Sequence, residues 1–261
     1  MRQILYYSLL FLIGVALNSC QNYQKNRIVE EYYPDGTIKS AIAMTDTMRN
    51  GMAKYYNEQG NLLSTAEYKN DKREGWVINY ITENGKIANK AFYKNDVQEG
   101  QVLQYYKEGM LFRESSYVNG RVDGIIKTYW PDGKIKAENT FKMGKPGIGL
   151  KEYDKKSELI KQPEIKITEI NQAAFYNRVI LKFSLSDNNT DVDFYLDNLE
   201  GDKYFNPQSY KLRNDDGVSS MEYPVHRGTK ISNKINIIAK VKTSYGNTLI
   251  LQKYYNLNIS N

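Results

Sequence analysis

The chain contains one cysteine and one histidine in 261 residues, and this scarcity excludes several kinds of site. The single cysteine, Cys20, can form no internal disulfide and cannot build a zinc cluster with the single histidine, His226. A Ser-His-Asp triad would depend on His226, and no Gly-x-Ser-x-Gly segment supplies its nucleophile. The glycines are separated along the chain and form no phosphate-binding or dinucleotide-binding loop. We predict a protein that is not an enzyme and that uses no cofactor and no metal.

One acidic segment has calcium-type oxygen ligands without the arrangement of a calcium loop. The alternating residues are Asp187, Asn189, Asp191 and Asp193. Val192 stands where an EF-hand loop has Gly, and Asn198 stands where the loop has its bidentate Glu. We therefore predict a solvated turn between strands.

No block of like charges occurs, although the formal net charge is +6 at pH 7. A nucleic-acid-binding surface needs basic side chains clustered on one face, so no nucleic-acid partner is predicted. Proline is also scarce, with six residues, whereas 18 glycines and 23 tyrosines are present. That composition favours a β-rich chain with many tight turns.

Long apolar runs are missing except at the N-terminus, where one extends from Ile4 to Ala16 after Arg2. It is shorter than the roughly 20 apolar residues of a membrane-spanning helix and is typical of a secretory signal peptide. The following Leu17-Asn18-Ser19-Cys20 resembles the lipobox of bacterial lipoproteins, which implies a lipid on Cys20. The alternative is an ordinary secretory signal that ends near a cysteine by coincidence. We predict a signal peptide over residues 1–19 and a lipidated tether over 20–27.

The residues after Cys20, QNYQKN, include no acidic cluster and no Asp directly after the cysteine. By analogy with known sorting signals, the predicted location is the cell envelope, anchored by lipid to the outer membrane and facing the periplasm.

A tyrosine recurs at intervals of 23 to 25 residues after this tether. The recurring residues are Tyr32, Tyr55, Tyr80, Tyr105, Tyr129 and Tyr153. A turn glycine follows each of the first five, and eight residues further on comes Met44, Tyr68, Tyr93, Tyr117 or Phe141. Glycine after Asp or Asn favours hairpin turns. A steady period predicts a tandem array of β-hairpins over residues 28–161.

The two faces of each hairpin follow from the period of two along a strand. In the third copy, one side of the first strand carries Trp76, Ile78 and Tyr80. The second strand carries Ile87, Ala91 and Tyr93 together. We expect stacked hairpins to bury these aromatic rows against their neighbours.

The pattern Gly-x-x-x-x-Tyr-Tyr/Trp, a turn ending in Gly, and then Tyr/Phe before a Glu/Asp-Gly turn resembles the MORN-variant repeat. The tandem arrangement resembles the YwqK-type antitoxin family of bacterial repeat proteins. The resemblance implies a hairpin array and an antitoxin-like or immunity-like role, although the motif residues identify no toxin. The end copies depart from the pattern at Met44 and at Ser157, as the ends of a capped array do.

Beyond Pro163 the period ends, and six or seven short strand-like runs follow. The last two, joined at Gly246-Asn247, resemble the final hairpin of bacterial immunoglobulin-like domains. We predict an immunoglobulin-like β-sandwich over 162–261, so that the whole fold is all-β; the alternative is a strand-rich cap continuous with the repeat sheet.

Aromatic residues that follow the recurring tyrosines are the candidate binding face. They are Tyr33, Tyr56, Tyr106 and Trp130, and Ile81 interrupts the row. A row of exposed aromatics predicts a scaffold for an envelope protein, or alternatively a module that binds glycan or cell wall. The competing interpretation is that both faces of the sheet are partly buried, either by coiling of the sheet or by the C-terminal domain. An enzyme acting on polysaccharide would need a pair of carboxylates in a cleft, and no such pair stands out.

Overall fold

The computed structural model describes residues 25–260. The predicted signal peptide, Cys20 and most of the predicted tether lie outside these residues. No helix among residues 25–260 is long and apolar enough to cross a membrane. The one helix described there, α1, has four residues, so the fold is all-β as predicted.

The repeat region forms one antiparallel sheet of thirteen strands in which neighbours follow the order of the chain. Its first six strands are β1 (Asn26–Tyr32), β2 (Ile38–Thr45), β3 (Met48–Tyr56), β4 (Leu62–Lys69), β5 (Lys72–Tyr80) and β6 (Ile87–Lys94). The remaining strands are β7 (Val97–Tyr105), β8 (Leu111–Val118), β9 (Arg121–Val122), β10 (Gly124–Tyr129), β11 (Ile135–Lys142), β12 (Lys145–Pro146) and β13 (Lys151–Glu152). The hairpin array is therefore confirmed, and its first strand begins two residues before the predicted start at residue 28.

Two kinds of turn connect the strands, one kind at each end of the strands. Two-residue turns such as Asn70-Asp71 and Asn95-Asp96 have positive φ at both residues, which Asn and Asp tolerate better than other side chains. At the other end of the strands, longer turns are closed by a hydrogen bond from a glycine amide; the Gly109 amide, for example, donates to the Tyr106 carbonyl at 2.8 Å. One hairpin and one connecting turn make a repeat.

One face of the sheet, which we call the alanine face, has small residues along its middle. Ala53 pairs with Ala66, which in turn pairs with Val77. Tyr55 and Tyr68 come from opposite ends of β3 and β4, and their hydroxyls lie 3.5 Å apart. The two rings thus reach toward each other across the alanines, which are buried. A single-layer sheet can bury its centre only if that centre is small enough for its own flanking side chains to cover.

The prediction that aromatic rows form the core of the array is wrong in this respect. Trp76 pairs with Phe92 and Tyr93 pairs with Gly75, so Trp76 and Tyr93 lie on opposite faces of the sheet. Tyr80 is only half-buried. No second layer covers the middle repeats among the described residues, and large rings therefore lie at the borders of the alanine row and on the other face.

Residues 165–260 form a separate sandwich of two four-stranded sheets. Its elements are β14 (Ile165–Gln172), α1 (Ala173–Tyr176), β15 (Arg178–Leu185), β16 (Val192–Leu196), β17 (Tyr210–Lys211), β18 (Asn214–Asp215), β19 (Val218–Pro224), β20 (Lys230–Lys242) and β21 (Thr248–Ser260). The sheet orders are β14-β15-β19-β18 and β17-β16-β20-β21. In chain order these are the A-B-E-D and C′-C-F-G sheets of an immunoglobulin-type sandwich. The predicted boundary at 161/162 falls between β13 and β14.

The sandwich core lies between its two sheets and is apolar. Phe183 and Phe194 are fully buried, with ring centroids 6.2 Å apart, and Leu181, Val241 and Leu257 are buried around them. The turn at Gly246-Asn247 joins the two longest strands, β20 and β21, as predicted. The alternative of a strand-rich cap continuous with the repeat sheet is wrong, because the sandwich sheets have their own pairing.

Candidate binding face of the repeat sheet

The opposite face of the repeat sheet, which we call the tyrosine face, carries one aligned residue from each of ten strands, namely β2 to β8, β10, β11 and β13. In order across the sheet they are Ala41, Lys54, Thr65, Ile78, Lys90, Leu103, Glu114, Lys127, Glu138 and Lys151. Register is held by cross-strand pairing throughout. The tyrosine face therefore presents a continuous cross-strand row.

Charges in the C-terminal half of this row pair with one another. Lys127 Nζ lies 3.7 Å from the Glu114 carboxylate, and Lys151 Nζ lies 3.9 Å from the Glu138 carboxylate. In the N-terminal half, Lys90 Nζ lies over the Trp76 ring at 4.8 Å. That half of the row has two lysines, Lys54 and Lys90, and no carboxylate to pair with them.

Trp76 and Phe92 form the main aromatic contact of the N-terminal half. Their ring centroids are 5.5 Å apart at an interplanar angle of 82°, which is an edge-to-face arrangement. Met52 and Ile125 occupy the position of Trp76 in the second and fifth repeats and are 42% and 52% exposed, whereas the fourth repeat has Gln101 there. Apolar side chains open to solvent therefore occur on this face on either side of Trp76, with the polar Gln101 between Trp76 and Ile125.

A second row on the tyrosine face lies beside the longer turns. Its members are Tyr32, Tyr56, Tyr80, Tyr105 and Tyr129. The Tyr129 hydroxyl donates to Glu114 Oε1 at 2.6 Å. Burial, together with this hydrogen bond, raises the pKa of Tyr129 to about 12. Burial also raises the pKa of Tyr105. The phenols of Tyr105 and Tyr129 are therefore partly withdrawn from water, and the row forms the border of the face.

The predicted row of Tyr33, Tyr56, Tyr106 and Trp130 is not one row, and this part of the prediction needs correction. Tyr56 pairs with Leu62 as Tyr80 pairs with Ile87, so Tyr56 belongs with the recurring tyrosines. The residue in register with Tyr33, Tyr106 and Trp130 is Asn57, because each of these residues donates its amide across a longer turn. Tyr55, a member of the predicted recurring row, lies on the alanine face, because it alternates with Ala53 along β3.

Side chains at the turn position make internal contacts between repeats. The Tyr33 hydroxyl donates to the Tyr56 carbonyl at 2.9 Å, and the Tyr106 hydroxyl donates to the Tyr129 carbonyl at 2.7 Å. Each hydroxyl thus braces its turn against the next repeat. These tyrosines have a structural role, and a role in binding for them stays a prediction.

Trp130 contacts the sandwich and is not part of an open row. Its ring meets Tyr245 edge to face, with centroids 5.5 Å apart and an angle of 86°. Lys136 Nζ lies 4.6 Å from the Trp130 ring and 4.7 Å from the Tyr245 ring. The competing interpretation, in which the C-terminal domain covers part of the array, therefore holds for Trp130.

The correct register was available in the sequence. In four repeats the face tyrosine stands four residues before the turn glycine, as in Tyr56 to Gly60 and Tyr105 to Gly109. In the third repeat the distance is five, and the Ile81 amide reaches the Lys86 carbonyl across a turn that is one residue longer. A count back from the glycine, instead of along the chain, would have selected Tyr56.

Other candidate groups do not come together in residues 25–260. No group of three or more His, Cys, Asp or Glu side chains is placed to hold a metal there. His226 is exposed in a loop. Asp187 and Asn189 accept main-chain amides at 3.1 and 2.9 Å within their own turn, and Asp193 pairs with Lys211 at 2.8 Å.

Comparison with family models finds the MORN repeat variant at residues 49–70, 98–119 and 122–143. No curated protein matches the chain. Each matched segment begins in the first strand of a hairpin (β3, β7 or β9) and ends in the two-residue turn that follows the hairpin. The third repeat, with its longer turn at Ile81–Lys86, falls between the first two matches and has the same strand pairing. The chain therefore contains MORN-variant repeats, and the strand register extends them into one continuous sheet.

Proposed function

We propose that this protein is a non-catalytic scaffold of the bacterial cell envelope, anchored by a lipid on Cys20, that binds a protein partner through its tyrosine face. The observation that carries the proposal is the unbroken cross-strand row on that face, flanked by exposed apolar side chains. Repeat arrays use extended surfaces of this kind for binding.

Exposed apolar residues of the repeat sheet concentrate on the tyrosine face. Strand alternation and pairing place eight aliphatic or methionine side chains there: Ile28, Met48, Met52, Leu63, Val97, Val118, Ile125 and Ile135. The apolar residues at the middle of the alanine face, such as Ala53 and Ala91, are instead buried. An apolar surface that remains open on one face only is a mark of an interaction site.

The dimensions of the face favour a macromolecule over a small ligand. Neighbouring strands are about 4.8 Å apart, so the row from β2 to β13 extends over roughly 45 Å. Ligand pockets are concave and far shorter. The surface is long and follows a sheet, which suits a protein partner.

A protein partner is also favoured over a glycan. Sugar rings stack on exposed planar faces, whereas Trp76 and Phe92 meet edge to face and Lys90 covers the indole. The exposed residues around them, such as Met52 and Ile125, are flexible or aliphatic. The glycan alternative rests on the Trp76–Phe92 pair alone.

The anchor and the immunity role are finer parts of the proposal. Asn26 begins β1 six residues after Cys20, which limits the first strand to within about 20 Å of a lipid on that cysteine. An immunity role rests on the resemblance to YwqK-type proteins, and its partner would be a toxin that reaches the envelope.

A photo-crosslinking amino acid at Met52 or Ile125 tests the binding face in intact cells. We expect both positions to capture the same protein, and we expect the matched position Phe175, which is 87% exposed on the sandwich, to capture none of it. Equal capture from all three positions, or none from the face, would contradict the proposal. Cys20→Ser, followed with labelled palmitate, separately tests the anchor, because label in that variant would rule out Cys20 as the lipid site.

A further inference from the structure

The repeat sheet has one end with no partner strand in the described part of the chain. At its C-terminal end, Gly147 bridges to Tyr204, and the Phe205 amide donates to the Pro146 carbonyl at 2.9 Å. These contacts join the last repeat to the sandwich. At the N-terminal end, β1 pairs with β2 alone. The outer edge of β1 is therefore open to another strand.

Pairing with β2 fixes the direction of the main-chain groups in β1. The Asp46 amide donates to the Lys25 carbonyl at 3.0 Å, so residue 25 directs its carbonyl toward β2. The main-chain amides and carbonyls of successive residues in a strand point alternately to its two sides. Residues 27, 29 and 31 therefore direct theirs toward β2, as residue 25 does. Ile28 and Glu30 direct theirs to the open edge, where another strand can pair with them.

We propose that β1 pairs with β1 of a second copy of this chain, antiparallel about a two-fold axis at Val29. In this register Ile28 lies opposite the second copy's Glu30, and the two exchange main-chain hydrogen bonds. Arg27 lies opposite the second copy's Glu31 at a position without main-chain hydrogen bonds, where side chains are closest. The two-fold axis repeats this contact, so the dimer contains two Arg27–Glu31 charge pairs.

Charge complementarity selects this register over its neighbours. An axis at Glu30 would place two Glu30 carboxylates directly opposite each other, which destabilises a strand pair. An axis at Ile28 would set Arg27 opposite Val29 and would leave Glu31 opposite Lys25, which precedes the first residue of β1. In the single chain, Glu31 lies 3.8 Å from Lys39, and both side chains are exposed, so Glu31 remains accessible to Arg27 of the second copy.

Apolar exposure at the edge supports the same arrangement. Ile28 is 69% exposed and Tyr32 is 57% exposed, and both lie on the tyrosine face. In the proposed register, Ile28 is diagonal to the second copy's Ile28 and Tyr32, which are within reach across a strand pair. The axis is perpendicular to the sheet, so the tyrosine faces of the two copies lie on the same side and form one longer surface.

The test uses the mature chain with Cys20→Ser, so that lipid plays no part, and sedimentation velocity over a range of concentrations. We expect a monomer–dimer equilibrium that closes at the dimer. Arg27→Glu and Glu31→Arg should each weaken the dimer at least tenfold, and the double exchange should restore it to within threefold. Lys166→Glu makes the same size of charge change at an exposed position of β14, and it should leave the dimer affinity unchanged. Circular dichroism confirms that each variant is folded.

Val29→Cys in the same background provides a second measurement, because it introduces the one cysteine of that chain. Opposed residues at the axis meet the distance requirement of a disulfide, so oxidation should give a covalent dimer. Oxidation of the control variant Lys166→Cys should give no covalent dimer. A monomer at every concentration, open-ended filaments, or a double exchange that fails to restore the dimer would each overturn the proposal.

Discussion

Trp130, at the turn of the last complete repeat, meets Tyr245, at the turn of the last sandwich hairpin, edge to face at 5.5 Å. Beside this contact, Asn139 Nδ2 on the alanine face donates to the Thr248 carbonyl at 3.1 Å. The sandwich thus lies against the alanine face of the last repeat. The tyrosine face is left open along the array.

Removal of the Trp130 ring should loosen this junction. We expect Trp130→Ala to lower the free energy of unfolding by about 2 kcal/mol, since the indole is half-buried and truncation of a fully buried one costs more. In a double-mutant cycle with Tyr245→Ala, the coupling energy should be about 1 kcal/mol. Urea unfolding measures all three variants. A coupling near zero would show that the ring contact contributes nothing to the junction.

Glu152 is a second point of attachment. It is buried, and its Oε1 accepts hydrogen bonds from Thr243 Oγ1 at 2.6 Å and from Asn247 Nδ2 at 2.7 Å. Glu152→Ala removes the acceptor of two half-buried donors, so we expect a loss of about 2 kcal/mol in the free energy of unfolding. Glu158→Ala, at an exposed position of the neighbouring turn, should change it by less than about 0.5 kcal/mol. Equal effects would contradict this assignment.

Arg73 holds the third repeat to the next two-residue turn. Its Nε lies 2.9 Å from Asp96 Oδ1, and its guanidinium lies 4.2 Å from the centre of the Tyr93 ring. Gln98 has the equivalent position one repeat later. We expect Arg73→Gln to cost about 1 kcal/mol of stability, since the pair is partly exposed, and Gln98→Ala to cost less. Added salt should reduce the difference in stability between the two variants. Equal stabilities of the two variants at low salt would contradict the prediction.

Tyr129 makes stability sensitive to alkaline pH. Its pKa is about 12 in the folded chain and 10.0 in a free tyrosine, so the unfolded chain ionises first. Stability that depends on the neutral phenol is therefore complete below pH 10 and is lost as the pH rises from about 10 to about 12. Tyr129→Phe should make the fall in Tm over this range shallower. An unchanged fall would mean that Tyr129 ionises alike in both states.

Much of the fold could be predicted from residue spacing. The turn glycines and recurring tyrosines give the hairpins, because tight turns restrict which residues can occupy them, and Gly246-Asn247 marks the last sandwich hairpin correctly. The burial of alanines such as Ala53 could not be predicted in the same way. It depends on Tyr55 and Tyr68 reaching across from both ends of their strands, which is a property of strand pairing and not of either strand alone.

The candidate site could be predicted only in part. The sequence predicts a row of exposed aromatic residues on one face, but a single-residue difference in register places Tyr56 in another row, since adjacent residues of a strand point to opposite faces. The contact between Trp130 and Tyr245 joins residues more than one hundred positions apart. No local pattern carries such information.

The most direct test of the central claim is an affinity measurement with the partner captured by crosslinking. Wild-type protein, the double variant Met52→Ser/Ile125→Ser and the control Phe175→Ser would be compared, with unfolding measured on the same samples. We predict that the double variant binds at least tenfold more weakly while Phe175→Ser binds as the wild type does, and that all three unfold within about 1 kcal/mol of one another. Wild-type affinity in the double variant would contradict a binding role for the tyrosine face.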